Sequence, residues 1–457
     1  MGIISIINSI ATTVFAHLVN NDSCDTVNSG YQCNTSISHS WGQYSPYFTV
    51  PSKISNAEPP FCSITFVQSL NRHGARDPTA SKTAKYSATV AQIHSNTTSY
   101  GPGFEFIESY QYTLGADQLT SFGQQEMINS GFKFFQRYQQ LATNNTPFFR
   151  SSGENRVVMS AENFIQGYHA AKVIALGDDT SSYKPLVLSE EKGVNNTLDQ
   201  SECTNFENDD YYASFAVDAQ AAWLSVFAPN ITARLNENLQ GAGLTDNQTI
   251  YMMDLCPFNT IASHVGVISE WCTLFTPNEW KSYSYYNTLG KYYGYGDGNP
   301  LGPTQGVGFA NELIARLTNK PVVDRTSTNS TIDALETTFP LGLPMYADFS
   351  HGSDMTAMFS ALGLYNDTSP LSTHTIQDTD ETNGYSASYT IPFAARAYIE
   401  KMTCLIQPYE LVRVILNDRV VPLQNCGADS LGRCKLDAFV DSLSFARSSG
   451  HWDKCFE

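Results

Sequence analysis

Beyond its first sixty residues the chain alternates short apolar runs with longer stretches of helical period. Ser63–Leu70 (SITFVQSL) has the compact apolar pattern of a β-strand and stops at the polar cluster 71–77. Pro147–Phe149 is a second short run; it ends at Arg150, and after the loop Ser151–Asn155 a helical spacing extends from about Val157 to Ala175. A third run, Pro344–Phe349, ends at Ser350–His351 and leads into a stretch with Met355, Met358, Phe359 and Leu362 at helical spacing. Glu410–Leu416 (ELVRVIL) is a fourth strand candidate. Strands alternating with helices predict an α/β fold with a parallel or mixed sheet, in which ligands bind beyond the carboxyl ends of the strands. Polar clusters stand at three of those ends, so a site is expected there.

The flanking pattern is different. Residues 1–19 (MGIISIINSIATTVFAHLV) read as a signal peptide, and residues 20–60, rich in Asn, Ser, Pro and Gly, as an irregular N-terminal arm pinned by Cys24 and Cys33. Residues 181–284 are aromatic and Ala/Asn-rich without a clear strand, which predicts a mainly helical insert dividing the α/β domain into 61–180 and 285–457. No other apolar run is long enough to span a bilayer, so no stable membrane association is expected.

Composition narrows the chemistry. The 457 residues carry a formal charge of −18, a balance that repels nucleic acid. An anionic substrate therefore needs a local cluster of cations, and it is less repelled in acid. The ten cysteines include no CxxC pair, which disfavours zinc, and nine Asn-x-Ser/Thr sequons accompany them. Together they predict an oxidising secretory route and a secreted or cell-wall location.

The sharpest motif is Arg72-His73-Gly74-Ala75-Arg76-Asp77-Pro78-Thr79, directly after the first strand. Two guanidinium groups able to grip a phosphate in bidentate fashion flank an imidazole able to attack phosphorus. Gly74 is read as letting the backbone approach the anion.

RHGARDPT resembles the signature of the histidine acid phosphatases. SKTAKYS (81–87), YTLGADQLTSFGQQ (112–125), FRSSG (149–153), YYGYGDGNPLGPTQGVGFANELIARL (292–317) and the segment 347–366 resemble, in the same order, the fungal phytases of the 3-phytase type. The resemblance implies a phosphoglycerate-mutase-like α/β domain with a smaller helical insert, and a phosphohistidine intermediate. It implies His73 as nucleophile and Arg72, Arg76, Arg150 and His351 as phosphate ligands. With three arginines to stabilise the transferring group, no metal or other cofactor is implied. It also implies the disulfides Cys24–Cys33, Cys62–Cys404, Cys203–Cys455, Cys256–Cys272 and Cys426–Cys434, and inositol hexakisphosphate (phytate) as substrate; a monomer is expected. Lys85 and Lys291 fall where the family places lysines around the pocket, and each reads equally as a solvated lysine. The second member of a lysine pair is Gly290 here.

The family's His-Asp, whose aspartate protonates the leaving alkoxide, reads His351-Gly352 in this chain. Asp354, three residues on, either takes over as proton donor or only complements the dipole of its helix. Three functions stay open: a phytate phosphatase, a broader acid phosphomonoesterase, or a phosphate-binding glycoprotein with weakened catalysis.

Overall fold

The computed structural model describes residues 24–177 and 180–457. The expected signal peptide and the sequon at Asn21 lie outside them. Eight strands form one sheet: β1 (Cys62–Arg72), β2 (Phe148–Ser152), β3 (Leu186–Leu188), β4 (Met345–Ser350), β5 (Arg396–Cys404), β6 (Gln407–Leu416), β7 (Arg419–Val421) and β8 (Arg433–Lys435). The helices that matter here are α1 (Ala80–Asn96), α2 (Ser121–Arg137), α3 (Asn155–Leu176), α4 (Asp210–Asn238), α5 (Asp246–Ala262), α6 (Pro277–Tyr295), α7 (Val307–Thr318) and α8 (Gly352–Ala361).

The sheet runs β7-β6-β5-β1-β4-β2-β3, with β8 pairing on β6. The pairs β1·β4, β4·β2 and β2·β3 are parallel and the β5 and β6 pairs antiparallel, giving a mixed sheet. β1 begins with alternating burial and ends with seven consecutive buried residues, because helices cover both faces at its carboxyl end. That is why a continuous apolar run marked it in the sequence. Helix starts follow local rules: Thr245/Gln248 and Thr276/Glu279 form reciprocal capping boxes at α5 and α6.

The expected elements are present, with three corrections. β3 pairs with β2 inside the segment read as helical insert, and α6 crosses its far boundary, so the helical insert proper is α4–α6. The N-terminal arm is a packed element, with Tyr31 and Trp41 fully buried against the helical insert. The central strand β5 was not anticipated, because Arg396 and Glu400 interrupt its apolar pattern. Glu400 is satisfied by Arg137 at 2.8 Å and Arg413 at 2.7 Å. Five disulfides join the same cysteine pairs that the resemblance implies.

Candidate active site

β1, β2 and β4 lie side by side and parallel, so their carboxyl ends converge on one edge. His73 follows β1 there. Its N–H donates to the Ser350 carbonyl at 3.2 Å and its own carbonyl accepts from Ala394 at 3.0 Å, which fixes the backbone on both sides. The next two N–H groups are held by Ser160 Oγ (3.1 Å, from Gly74) and Glu126 Oε2 (2.8 Å, from Ala75). Gly74 is needed for a close approach to α2. A Cβ there would lie 2.3 Å from the Gly123 carbonyl oxygen.

His73 Nδ1–H donates to the Gly74 carbonyl at 2.9 Å, leaving Nε2 with its lone pair available. Burial first, then the charges of Arg72, Arg76 and Arg156, push the imidazole well below its ordinary pKa. The neutral form of the ring is thereby favoured. His351 stands opposite, with 5.8 Å between ring centroids, as the N-cap of α8. Its Nε2 lies 3.0 Å from Glu190 Oε1. Burial opposes the imidazolium, but the Glu190 hydrogen bond and Asp354 outweigh it and raise the pKa. In return His351 overcomes the upward pull of burial on Glu190 and brings its carboxyl down to about 2.

Arg72 is buried over the Phe393 ring at 4.6 Å and donates from Nη1 to the carbonyls of Gln43 (2.5 Å) and Ile391 (2.7 Å). Arg76 is tied by Nη1 to the Asp77 carbonyl at 2.6 Å. Arg156 pairs with Glu154 and reaches within 3.5 Å of His351 Nδ1. Among the described residues, the Nε of each of these three arginines is buried without a protein hydrogen-bond partner. Donors converging around one imidazole beside the N-termini of α3 and α8 form a cradle for a phosphoryl group.

Arg150 is not part of that cradle. β2 continues to Ser152, so Arg150 lies inside the strand, in register with Asp348 of β4. It is 0% exposed and binds Asp348 and Glu312 of α7, with Nη2 at 2.9 and 2.6 Å. The third arginine is Arg156, in the first turn of α3. A sequence signal for it exists: a cation at a helix N-terminus works against the macrodipole unless an anion is bound there.

The lysines show a similar exchange. Lys85 is exposed, whereas Lys82, one turn earlier on α1, faces inward and bonds Asp254 at 3.0 Å and the Tyr44 hydroxyl at 2.8 Å. Tyr86 and Tyr283 also donate to Asp254. Lys291 on α6 donates to Ser353 Oγ at 2.9 Å. Burial, aided by Arg72 and opposed by Asp354, brings its ammonium down to about 7. Gly290 beside it packs against Gln220, whose Nε2 would lie 2.4 Å from an added Cβ.

Asp354 is the third residue of α8 and is buried. Burial raises its carboxyl to about 7 despite the charge of His351. Gly352 sits directly against Arg72, where a Cβ would lie 2.8 Å from Nε.

Residues 63–417 match the histidine phosphatase superfamily (branch 2), a span that contains every residue of this cradle. The chain belongs to that superfamily. Phytase A of Aspergillus oryzae is 51% identical over 444 residues, covering 95% of this chain and 94% of the relative. Phytase A of Aspergillus fumigatus is 51% identical over 441 residues, with 95% and 94% covered. The crystal structure of the phytase from D. castellii superposes with a TM-score of 0.73 at 23% identity, over 90% of this chain and 85% of that one. The protein is a histidine acid phosphatase. Such an enzyme transfers the phosphoryl group to a histidine nitrogen as the ester P–O bond breaks, and water then cleaves the N–P bond and releases phosphate; the open Nε2 of His73 is the nitrogen this site offers. Arg72, Arg76, Arg156 and His351 surround that imidazole, an arrangement suited to stabilising negative charge.

Proposed function

We propose that this phosphatase hydrolyses inositol hexakisphosphate, with Asp354 protonating the leaving alkoxide. The observation that carries the substrate is the pair of cations beyond the phosphoryl cradle. Lys82 and Lys291 come from two different helices, α1 and α6, near Arg72 and Arg76, and can meet phosphates other than the one being transferred. The names of the most similar relatives point the same way. The donor role rests on burial: a carboxyl with a pKa of about 7 holds its proton through the acid range and is matched to giving it up.

Phosphate release from phytate and from p-nitrophenyl phosphate tests the substrate directly. Lys291→Met is expected to raise KM for phytate about tenfold and to change KM for p-nitrophenyl phosphate less than about twofold, since that substrate has no second phosphate. Equal effects on both would favour a broad phosphomonoesterase. The filled space beside Gly290 is the observation on that side.

We also propose a secreted or cell-wall glycoprotein, on the five disulfides and the sequons. Asn34, Asn96, Asn144, Asn230, Asn247 and Asn366 are exposed. Asn195 instead donates from Nδ2 to the carbonyls of Thr328 (2.8 Å) and Thr326 (3.3 Å), and Asn329 caps a helical turn. Glycopeptide mapping of the secreted protein is expected to find sugar among the first six and none on Asn195 or Asn329.

A further inference from the structure

With glycine in place of the aspartate after His351, the carboxyl nearest that histidine along the chain is the buried Asp354, so the groups packed on it matter. They come from three elements. His351 caps its helix, Lys291 and Tyr295 face it from α6, and Asp199 with the N–H of Gln200 faces it from the segment leading to α4. That segment is anchored across the strand ends. Ser350 Oγ donates to the Leu198 carbonyl at 2.6 Å, Asn196 Nδ2 donates to Ser152 Oγ at 3.1 Å, and Leu198 N–H donates to Asn196 Oδ1 at 2.9 Å. Since Ser350 and Leu198 touch, their successors His351 and Asp199 are brought to the same place.

We propose that Asp199 is a positioning residue that shares a proton with Asp354 and keeps it loaded as the acid for the leaving alkoxide. The inference rests on the donor reading of Asp354 given above. Asp199 is only partly buried, whereas Asp354 is buried, so Asp199 is the more open of the two to proton exchange with solvent. It faces Glu190, Glu154, Glu207 and His351, and receives a hydrogen bond from Ser201. Two carboxyl groups in one low-dielectric site do not both ionise readily, and the proton retained belongs to the pair. Burial and then Glu190 raise Asp199, while burial and Asp199 both raise Asp354.

The proton balance closes. As His73 Nε2 bonds to phosphorus and the ester P–O bond breaks, the Asp354 carboxyl gives its proton to the departing oxygen and becomes a carboxylate beside His351. In the second step water attacks phosphorus, the N–P bond breaks, and the water's proton returns to the carboxyl pair. The sign follows. The donor is present below a pH of about 7 and is lost as pH rises through it, and neutralising Asp199 lowers that boundary.

The test is the pH dependence of kcat between about pH 3 and pH 8, on phytate and on p-nitrophenyl phosphate, for wild type, Asp199→Asn, Asp199→Glu, Asp354→Asn and the double Asp199→Asn/Asp354→Asn variant. Asp354→Asn is expected to slow phytate turnover by about two to four decades and p-nitrophenyl phosphate far less, because p-nitrophenolate leaves without a proton. Asp199→Asn is expected to move the alkaline limb for phytate down by about half a pH unit or more, Asp199→Glu to restore it, and Asp199→Asn to add nothing once Asp354 is asparagine. If Asp354→Asn is slow but Asp199→Asn leaves the limb in place, Asp354 works alone and the inference is wrong. If Asp354→Asn turns over phytate at the wild-type rate, the donor reading itself fails, and the sharing falls with it.

Discussion

His73→Ala is expected to lower phosphate release by about four decades or more, on phytate and on p-nitrophenyl phosphate alike. Two features of the structure make this residue irreplaceable. Nδ1 is tied to the Gly74 carbonyl at 2.9 Å, so the ring presents Nε2 in a single orientation, and burial, then the charges of three arginines, disfavour its protonation. An alanine leaves the arginine cradle without a nucleophile, and the cradle alone orients and neutralises the phosphate without offering it a bond. Unlike a loss of the acid, the loss does not depend on the leaving group. The check is direct: wild-type enzyme quenched in alkali during turnover, where an N–P bond survives, should carry phosphate on one histidine-containing peptide that spans residue 73, and the variant should carry none while still binding inorganic phosphate. Wild-type enzyme no faster than His73→Ala would instead make the protein a phosphate-binding glycoprotein on a phosphatase fold.

The second large effect separates two arginines six residues apart. Arg156→Ala is expected to reduce kcat by about two to three decades with little change in Tm, since it removes a donor aimed at the transferring phosphoryl group from a partly exposed position. Arg150→Ala is expected to destabilise the fold by about 3–5 kcal/mol, because it strands the buried carboxylates of Asp348 and Glu312, with Arg316 left to serve both. Its kcat, measured on whatever fraction folds, should stay within about tenfold of wild type. Denaturant unfolding and steady-state kinetics on the two variants give opposite patterns. A stable Arg150→Ala enzyme with a collapsed kcat would return Arg150 to the phosphate cradle.

The two arginines also show where reading the chain succeeds and where it stops. Arg150 stands at the apparent end of an apolar run, and the resemblance of FRSSG to the family placed it in the site. The strand in fact continues through Ser151 and Ser152, which are buried and polar and so break the pattern that defines a strand by its apolar residues. Two residues of register decide whether a side chain lines the core or the site, and apolar periodicity does not resolve two residues. The same holds for Lys85 and Lys82, which lie on one helix three residues apart, one exposed and one inward. Glu190 and Asp199 carry no local signal: they lie in an irregular segment, and only its hydrogen bonds to Ser350 and Ser152 place it at the site.

What the sequence determined by itself is local or compositional. The strand-then-polar pattern located three carboxyl ends, RHGARDP supplied nucleophile and two arginines within five residues, and the even cysteine count with nine sequons pointed to an oxidising compartment. Each depends on neighbours along the chain, which the sequence displays. Tertiary structure alone decided which third arginine stands by His73 and which lysine turns inward, that charged β5 is a central strand, and that Asp354 is buried near Asp199. Those facts depend on residues distant in sequence, such as Asp348 for Arg150 and Glu400 for Arg413. A charge is tolerated in the core only when folding brings it a partner, and partners that far apart leave no mark on the pattern between them.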